Sequence, residues 1–269
     1  MRIVIVHGRA AEMEIPALME AAWAASLRYG LSRINATVDA ASLDVRLAFY
    51  GDLWRADLRQ PLPRIEPVPE EQEGFPSVGE ISLWVDQHLG FGDVLLELLL
   101  RDVDGYFSEP ELRAATNQRL VDAVTAAPVD PAGVVVVGFS MGSLVAYDTL
   151  RQRPDLPVGA LVTIGSPLAM PSFYRRLAGI GPTPFPEQLR MWVNVWTRDD
   201  PATAGHMDFP LRFPPGTPGG PLVQDLETWG RSASATNPAA AHNAMDYLGS
   251  RVFAKALVTG IAAAQGGDE

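Results

Sequence analysis

The sequence predicts an α/β fold: a mostly parallel central sheet of about six strands, with helices on both faces. Three observations carry this expectation. Strand-like and helix-like segments alternate along the chain. Runs such as Ile3-Val-Ile-Val6 and Val134-Val-Val-Val137 are apolar without interruption, as strands buried on both faces are. The chain has 269 residues and is 47% hydrophobic, enough for one large domain with its own core.

The elements follow in order. Arg2–Val6 reads as a first buried strand. Ile15–Tyr29 has helical spacing and stops at Gly30. Asp44–Tyr50 alternates in part and reads as a second strand. Val134–Val137 is a third, followed at once by a helix over Ser143–Arg153 that ends before Pro154. Ala160–Ile164 and Met191–Trp196 are further buried strands, and a short strand is expected near Leu222–Thr228. A closing helix is expected over about Asn243–Ala264.

Two stretches break the alternation. Leu53–Pro76 holds five prolines and an acidic patch at Glu70, Glu71 and Glu73, and reads as irregular surface chain. Pro201–Pro238 is rich in Pro and Gly, as long functional or mobile loops are. Between the first of these and the third strand, helices are expected at about Val78–Leu100 and Glu109–Ala126. Leu95, Leu96, Leu98, Leu99 and Leu100 leave the first with little polar surface, so it is either buried packing or a cap over an apolar site. A single domain over residues 1–269 is expected, with a helical cap at about 76–127 as the second of those readings. Aromatics such as Trp84, Phe91, Tyr106, Phe107, Phe173, Tyr174 and Phe185 divide in the same way between core and an acyl pocket.

Composition excludes several classes. A net charge of −11 argues against nucleic acid and anionic membrane surfaces as partners. There is no cysteine, hence no disulfide, thiol nucleophile or Cys-ligated zinc. The first apolar run is too short for a signal-peptide core, and Val94–Leu100, interrupted by Glu97, is too short to span a bilayer. A cytoplasmic location without a membrane span is therefore expected. No phosphate-binding Gly-rich motif is present, and His206-Met-Asp208 is only a lone pair of potential ligands, so neither cofactor nor metal is expected.

The chemistry concentrates at Gly138-Phe-Ser140-Met-Gly142, between an apolar strand and a helix. A tight strand-to-helix turn lifts a serine hydroxyl above the sheet edge and aims the following N–H, that of Met141, beside it. The two glycines are expected where backbone passes too close for a Cβ. A serine needs a base. Of the four histidines, His242 comes after every strand, where a loop can return an imidazole over the strand ends; His206 is the rival, His88 lies in the insert and His7 ends the first strand. The base needs an orienting acid, and Asp199-Asp200-Pro201 follows a buried strand. Asp200 is preferred because Pro201 fixes the turn behind it; Asp199, Asp208 and Asp225 remain alternatives. After His7-Gly8, the N–H of Arg9 can join that of Met141 in binding an oxyanion.

On these residues the chain resembles the α/β-hydrolase superfamily, whose members present the same order Ser…Asp…His. His7-Gly8, Gly138–Gly142, Asp200 and His242 carry the resemblance. Gly165-Ser166-Pro167 and Trp192-Val-Asn194-Val…Asp200-Pro201 look like its lipase- and esterase-like members. One departure is the early oxyanion motif, which leaves no room for the superfamily's usual pair of preceding antiparallel strands and implies a shorter sheet. The resemblance implies a serine hydrolase acting on a small, apolar acyl substrate: an ester, thioester or amide. An acyltransferase or lactone- or lactam-forming cyclase would use the same acyl-enzyme, and a non-catalytic binding protein would use the fold alone. The acyl group and the oligomeric state leave no signature in the sequence.

Overall fold

Strands of uninterrupted β-branched residues need apolar neighbours on both faces, and the computed structural model supplies them. It describes residues 1–8, 14–54, 103–127, 133–179, 181, 183–203, 209–229 and 238–266. The strands are β1 (Arg2–Val6), β2 (Asp44–Ala48), β3 (Val134–Phe139), β4 (Val158–Ile164), β5 (Met191–Trp196) and β6 (Val223–Glu227). They form one six-stranded sheet in the order β2-β1-β3-β4-β5-β6, every pairing parallel. The four inner strands are buried at every position, whereas edge strands β2 and β6 show mixed burial. That difference explains why the inner strands read as largely apolar runs and the edge strands do not.

Successive side chains of a strand go to opposite faces, so each inner strand feeds two cores. Ile3, Ile5, Val135, Val137 and Val162 join one with helices α1 (Pro16–Ser32), α6 (Ala244–Leu248) and α7 (Arg251–Ala264). Val4, Val6, Val134, Val136 and Leu161 join the other with α2 (Pro110–Thr125), α3 (Met141–Gln152) and α4 (Pro171–Gly179). A short helix, α5 (Phe209–Arg212), adds Phe209 to the second core.

Of the expected cap region, residues 103–108 are helical, and α2 packs on α3, β1 and β2 as a crossover helix. A buried network holds it there. Asp148 of α3 accepts two hydrogen bonds from Arg113, at 2.6 and 2.8 Å, one from Asn117 at 3.0 Å and one from the Tyr106 hydroxyl at 2.8 Å. Burial alone would push this carboxyl up, but those donors hold it below its usual range. The Leu-rich segment 94–100 lies outside the described residues.

The closing helix is two helices, not one. Asn243 caps α6, its side chain accepting from Met245 N–H at 3.0 Å and Asp246 N–H at 3.4 Å. Ser250 caps α7 through Phe253 N–H at 3.1 Å. Two side-chain caps so close in sequence give two helix starts, which a reading of apolar period alone merges.

β1 lies between β2 and β3, so the chain leaves it to one side and returns on the other. Connections that diverge in this way leave a crevice beyond the carboxyl ends of the strands, the customary ligand position in open α/β sheets. Gly8 follows β1 and Ser140 follows β3 at that point.

Candidate active site

Ser140 adopts φ 53° and ψ −127° and is the one non-glycine residue with positive φ among those described. Such a conformation costs on the order of 1–3 kcal/mol and persists only where its surroundings enforce it. Here they do. The Ser140 N–H donates to Ile164 O at 3.1 Å, and its carbonyl accepts from Ser143 N–H at 2.9 Å and from the Ser143 hydroxyl. A Cβ on Gly138 would stand 2.7 Å from Ser143 Cα, and one on Gly142 would stand 2.2 Å from Val6 O. Both glycines are therefore steric requirements of the turn, as its sequence suggests. Gly8 has a similar role across the crevice: a Cβ there would meet Ser140 Cβ at 2.9 Å.

Ser140 Oγ lies 2.8 Å from His242 Nε2. His242 Nδ1 lies 2.9 and 3.0 Å from the two carboxylate oxygens of Asp200. The carboxylate places the ring proton on Nδ1 and leaves the Nε2 lone pair facing the serine hydroxyl. The His242 side chain is 7% exposed and that of Asp200 is fully buried. Three separate connections deliver these groups: the β3–α3 turn, the loop after β5, and the segment between β6 and α6. The Asp200 loop is knit locally. Thr203 Oγ1 donates to Thr197 O at 3.1 Å and Asp200 O at 2.8 Å, and Pro201 opens a 3-10 turn over Pro201–Thr203. The Phe139 ring stacks on His242 with centroids 4.7 Å apart and forms its floor.

The alternatives for the acid separate cleanly. Asp199 is half-buried and is not a partner of His242. Asp225 accepts from Asn194 Nδ2 at 2.6 Å in β5. Asp208, His206 and His88 lie outside the described residues, as does Arg9, one of the two expected oxyanion donors. Met141, the other, is the first residue of α3, where an N–H has no acceptor within the helix.

His7 is a structural residue of the same crevice. It is fully buried, and its Nε2 accepts the Tyr50 N–H at 3.0 Å, so Nδ1 carries the proton toward Gly8 O. The Tyr50 hydroxyl returns to His7 O at 2.7 Å and its ring stacks on the imidazole at 4.1 Å. This pairing shapes the turn that brings Gly8 against Ser140.

One residue was absent from the sequence-based site. The Tyr247 hydroxyl donates to Asp200 Oδ2 at 2.7 Å. Burial, and then the Asp200 charge, push its phenol well above the usual range, so it stays a donor. The available signal was a tyrosine within two helical turns of His242. Of the aromatics considered for an acyl pocket, Tyr106, Phe173 and Phe185 are core residues, and Tyr106 is committed to Asp148.

Two clefts lie elsewhere. One of about 330 Å³ runs past Arg151, Pro154 and Phe185; another of about 440 Å³ runs past Tyr29, Trp229 and Asp246. Neither includes Ser140, Asp200 or His242, so hydrogen-bond geometry, not cavity size, locates the candidate site. No helix among the described residues is long and apolar enough to cross a membrane. No protein-family model, curated protein or solved structure matches this chain.

Proposed function

We propose that the chain is a serine hydrolase of the α/β-hydrolase superfamily that cleaves an acyl ester, thioester or amide through an acyl-enzyme on Ser140. The observation that carries this reading is the continuous hydrogen-bonded line from Ser140 Oγ through the His242 ring to Asp200. In the first half-reaction, Nε2 takes the hydroxyl proton as Oγ bonds to the acyl carbon. The carbonyl π pair moves onto oxygen, giving a tetrahedral oxyanion beside the Met141 N–H. The oxyanion collapses, the bond to the leaving group breaks, and His242 returns the proton to that group. A water then repeats the sequence on the acyl-enzyme and releases the acid. Asp200 stays ionised throughout; it holds the tautomer and stabilises the transient imidazolium.

The strained Ser140 backbone supports this reading further, since a serine held at positive φ, a conformation that glycine adopts at lower cost, has no packing benefit that glycine would not supply. The contact between Asp200 and His242 also favours catalysis over a binding scaffold, which has no use for a buried carboxylate behind an imidazole. A fluorophosphonate probe tests the proposal. It is expected to label Ser140, and Ser140→Ala is expected to lose both labelling and turnover of short-chain nitrophenyl esters. Labelling at another residue, or unchanged turnover in the alanine variant, overturns it. Product analysis with an added alcohol or amine distinguishes water from another acyl acceptor.

A further inference from the structure

The Asp200 carboxylate is fully buried, and its hydrogen bonds can be accounted for among the described residues. Oδ1 accepts from Ala202 N–H at 2.9 Å and faces His242 Nδ1 at 3.0 Å. Oδ2 faces Nδ1 at 2.9 Å and accepts from the Tyr247 hydroxyl at 2.7 Å. The base and this phenol belong to one short element: His242 immediately precedes Asn243, the cap of α6, and Tyr247 lies near the other end of that helix. A five-residue helix thus ties the base to the partner of its own acid.

We infer that Tyr247 is a positioning residue: its hydroxyl anchors Asp200 Oδ2 and limits the negative charge that Asp200 offers to His242. This rests on the hydrolase reading for its catalytic meaning, but the electrostatic effect on His242 is independent of it. A donated hydrogen bond draws charge from the carboxylate, so the imidazolium gains less from it. The Asp200 side chain has no solvent exposure, so bulk water does not share Oδ2 with the hydroxyl.

The charged groups of α1, which packs on α6, and of the chain after β5 are engaged elsewhere. On α1, Glu20 accepts from Leu47 N–H, Arg28 donates to Ala40 O and Leu43 O, and Arg33 donates to Gly249 O. Arg198, after β5, pairs with Glu227 at 3.4 Å. Asp199 is half-buried, both ring nitrogens of His242 face Asp200 and Ser140, and Asp246 of α6 lines the separate cleft near Trp229.

The test uses the full chain with two substitutions of opposite sense. Tyr247→Phe removes the donor. Replacing Tyr247 by 3,5-difluorotyrosine makes it a stronger donor. Removing the donor strengthens the field of Asp200 at the ring, so the imidazole stays protonated to higher pH. The acid limb of kcat then moves up in the Phe variant and down in the fluorinated one, with kcat in the Phe variant falling about tenfold and KM unchanged. Histidine-selective NMR, with His242 assigned through His242→Asn, is expected to show the same opposite shifts without relying on turnover. A merely structural role would lower activity at all pH values alike and leave both titrations in place. Titrations that overlay the parent's in the fluorinated variant overturn the inference, and they do so even where the Phe variant does not fold. Failure of the hydrolase reading is seen separately, as absence of fluorophosphonate labelling at Ser140 in the parent.

Discussion

Replacing Gly8 by alanine adds one methyl group against Ser140 and Phe139. The backbone there does not have positive φ, so the substitution carries no conformational penalty of its own. The new Cβ would lie 2.9 Å from Ser140 Cβ and 3.3 Å from the Phe139 ring. Ordinary contact begins near 3.4 Å, so Ser140 or β1 must yield by about half an ångström. Ser140 is poorly able to yield, since its backbone is held by Ile164 O and Ser143. Overpacking of this kind costs about 1–3 kcal/mol, and at roughly 2–4 °C per kcal/mol for a domain of this size the melting temperature should fall measurably. The same displacement moves Oγ off its 2.8 Å contact with His242, so turnover should fall by about 10–100-fold. Thermal denaturation and nitrophenyl ester hydrolysis read the two effects. Gly179→Ala, where the new methyl meets nothing within 4 Å, is the control. Parent-like melting and parent-like turnover in Gly8→Ala would refute the argument that this glycine is required by contact with Ser140.

Three other outcomes are expected. Asp200→Asn keeps the shape of the site but loses the charge that holds Nδ1–H, so kcat should drop by on the order of 10⁴-fold, measured with the same ester, while circular dichroism stays unchanged. Ser140→Gly should be more thermally stable than Ser140→Ala by on the order of 1 kcal/mol, because only glycine relieves the backbone at φ 53°; equal melting temperatures would remove strain from the account. Arg113→Ala removes the bidentate partner of buried Asp148 but leaves Arg151 at 3.7 Å, Asn117 and Tyr106, and should cost about 1–3 kcal/mol. Asp148 has a folded pKa below its unfolded value, so it stabilises the fold above the unfolded pKa and that contribution is lost as pH falls through the folded one. Losing Arg113 raises the folded value, and the acid-unfolding midpoint should move to higher pH; an unmoved midpoint counts against the network.

Much of the architecture was legible because it is written in local pattern. β1 and β5 have the predicted limits, and the other strands differ by a few residues at their ends, where hydrogen bonding and apolar content part company. Parallel pairing followed from runs such as Val134–Val137, which make sense only with apolar cover on both sides. The merged closing helix shows the limit of such patterns: the separation of α6 from α7 depends on the side chains of Asn243 and Ser250 turning back to backbone N–H groups.

The sequence by itself determined the strand–turn–helix at Ser140, the two glycines that the turn requires, and a histidine late enough to return over the strand ends. Those features depend on residues within a few positions of one another, where backbone sterics decide. Only the tertiary structure decided that Asp200 and not Asp199 or Asp225 meets His242, that Tyr247 stands behind Asp200, and that His7 shapes the turn. Asp200 and His242 are 42 residues apart and Ser140 and His242 are 102 apart. Contacts over such separations are set by the sheet order and by where each connection ends, and neighbouring carboxylates in a sequence are equivalent until the path of the loop assigns one of them to the ring.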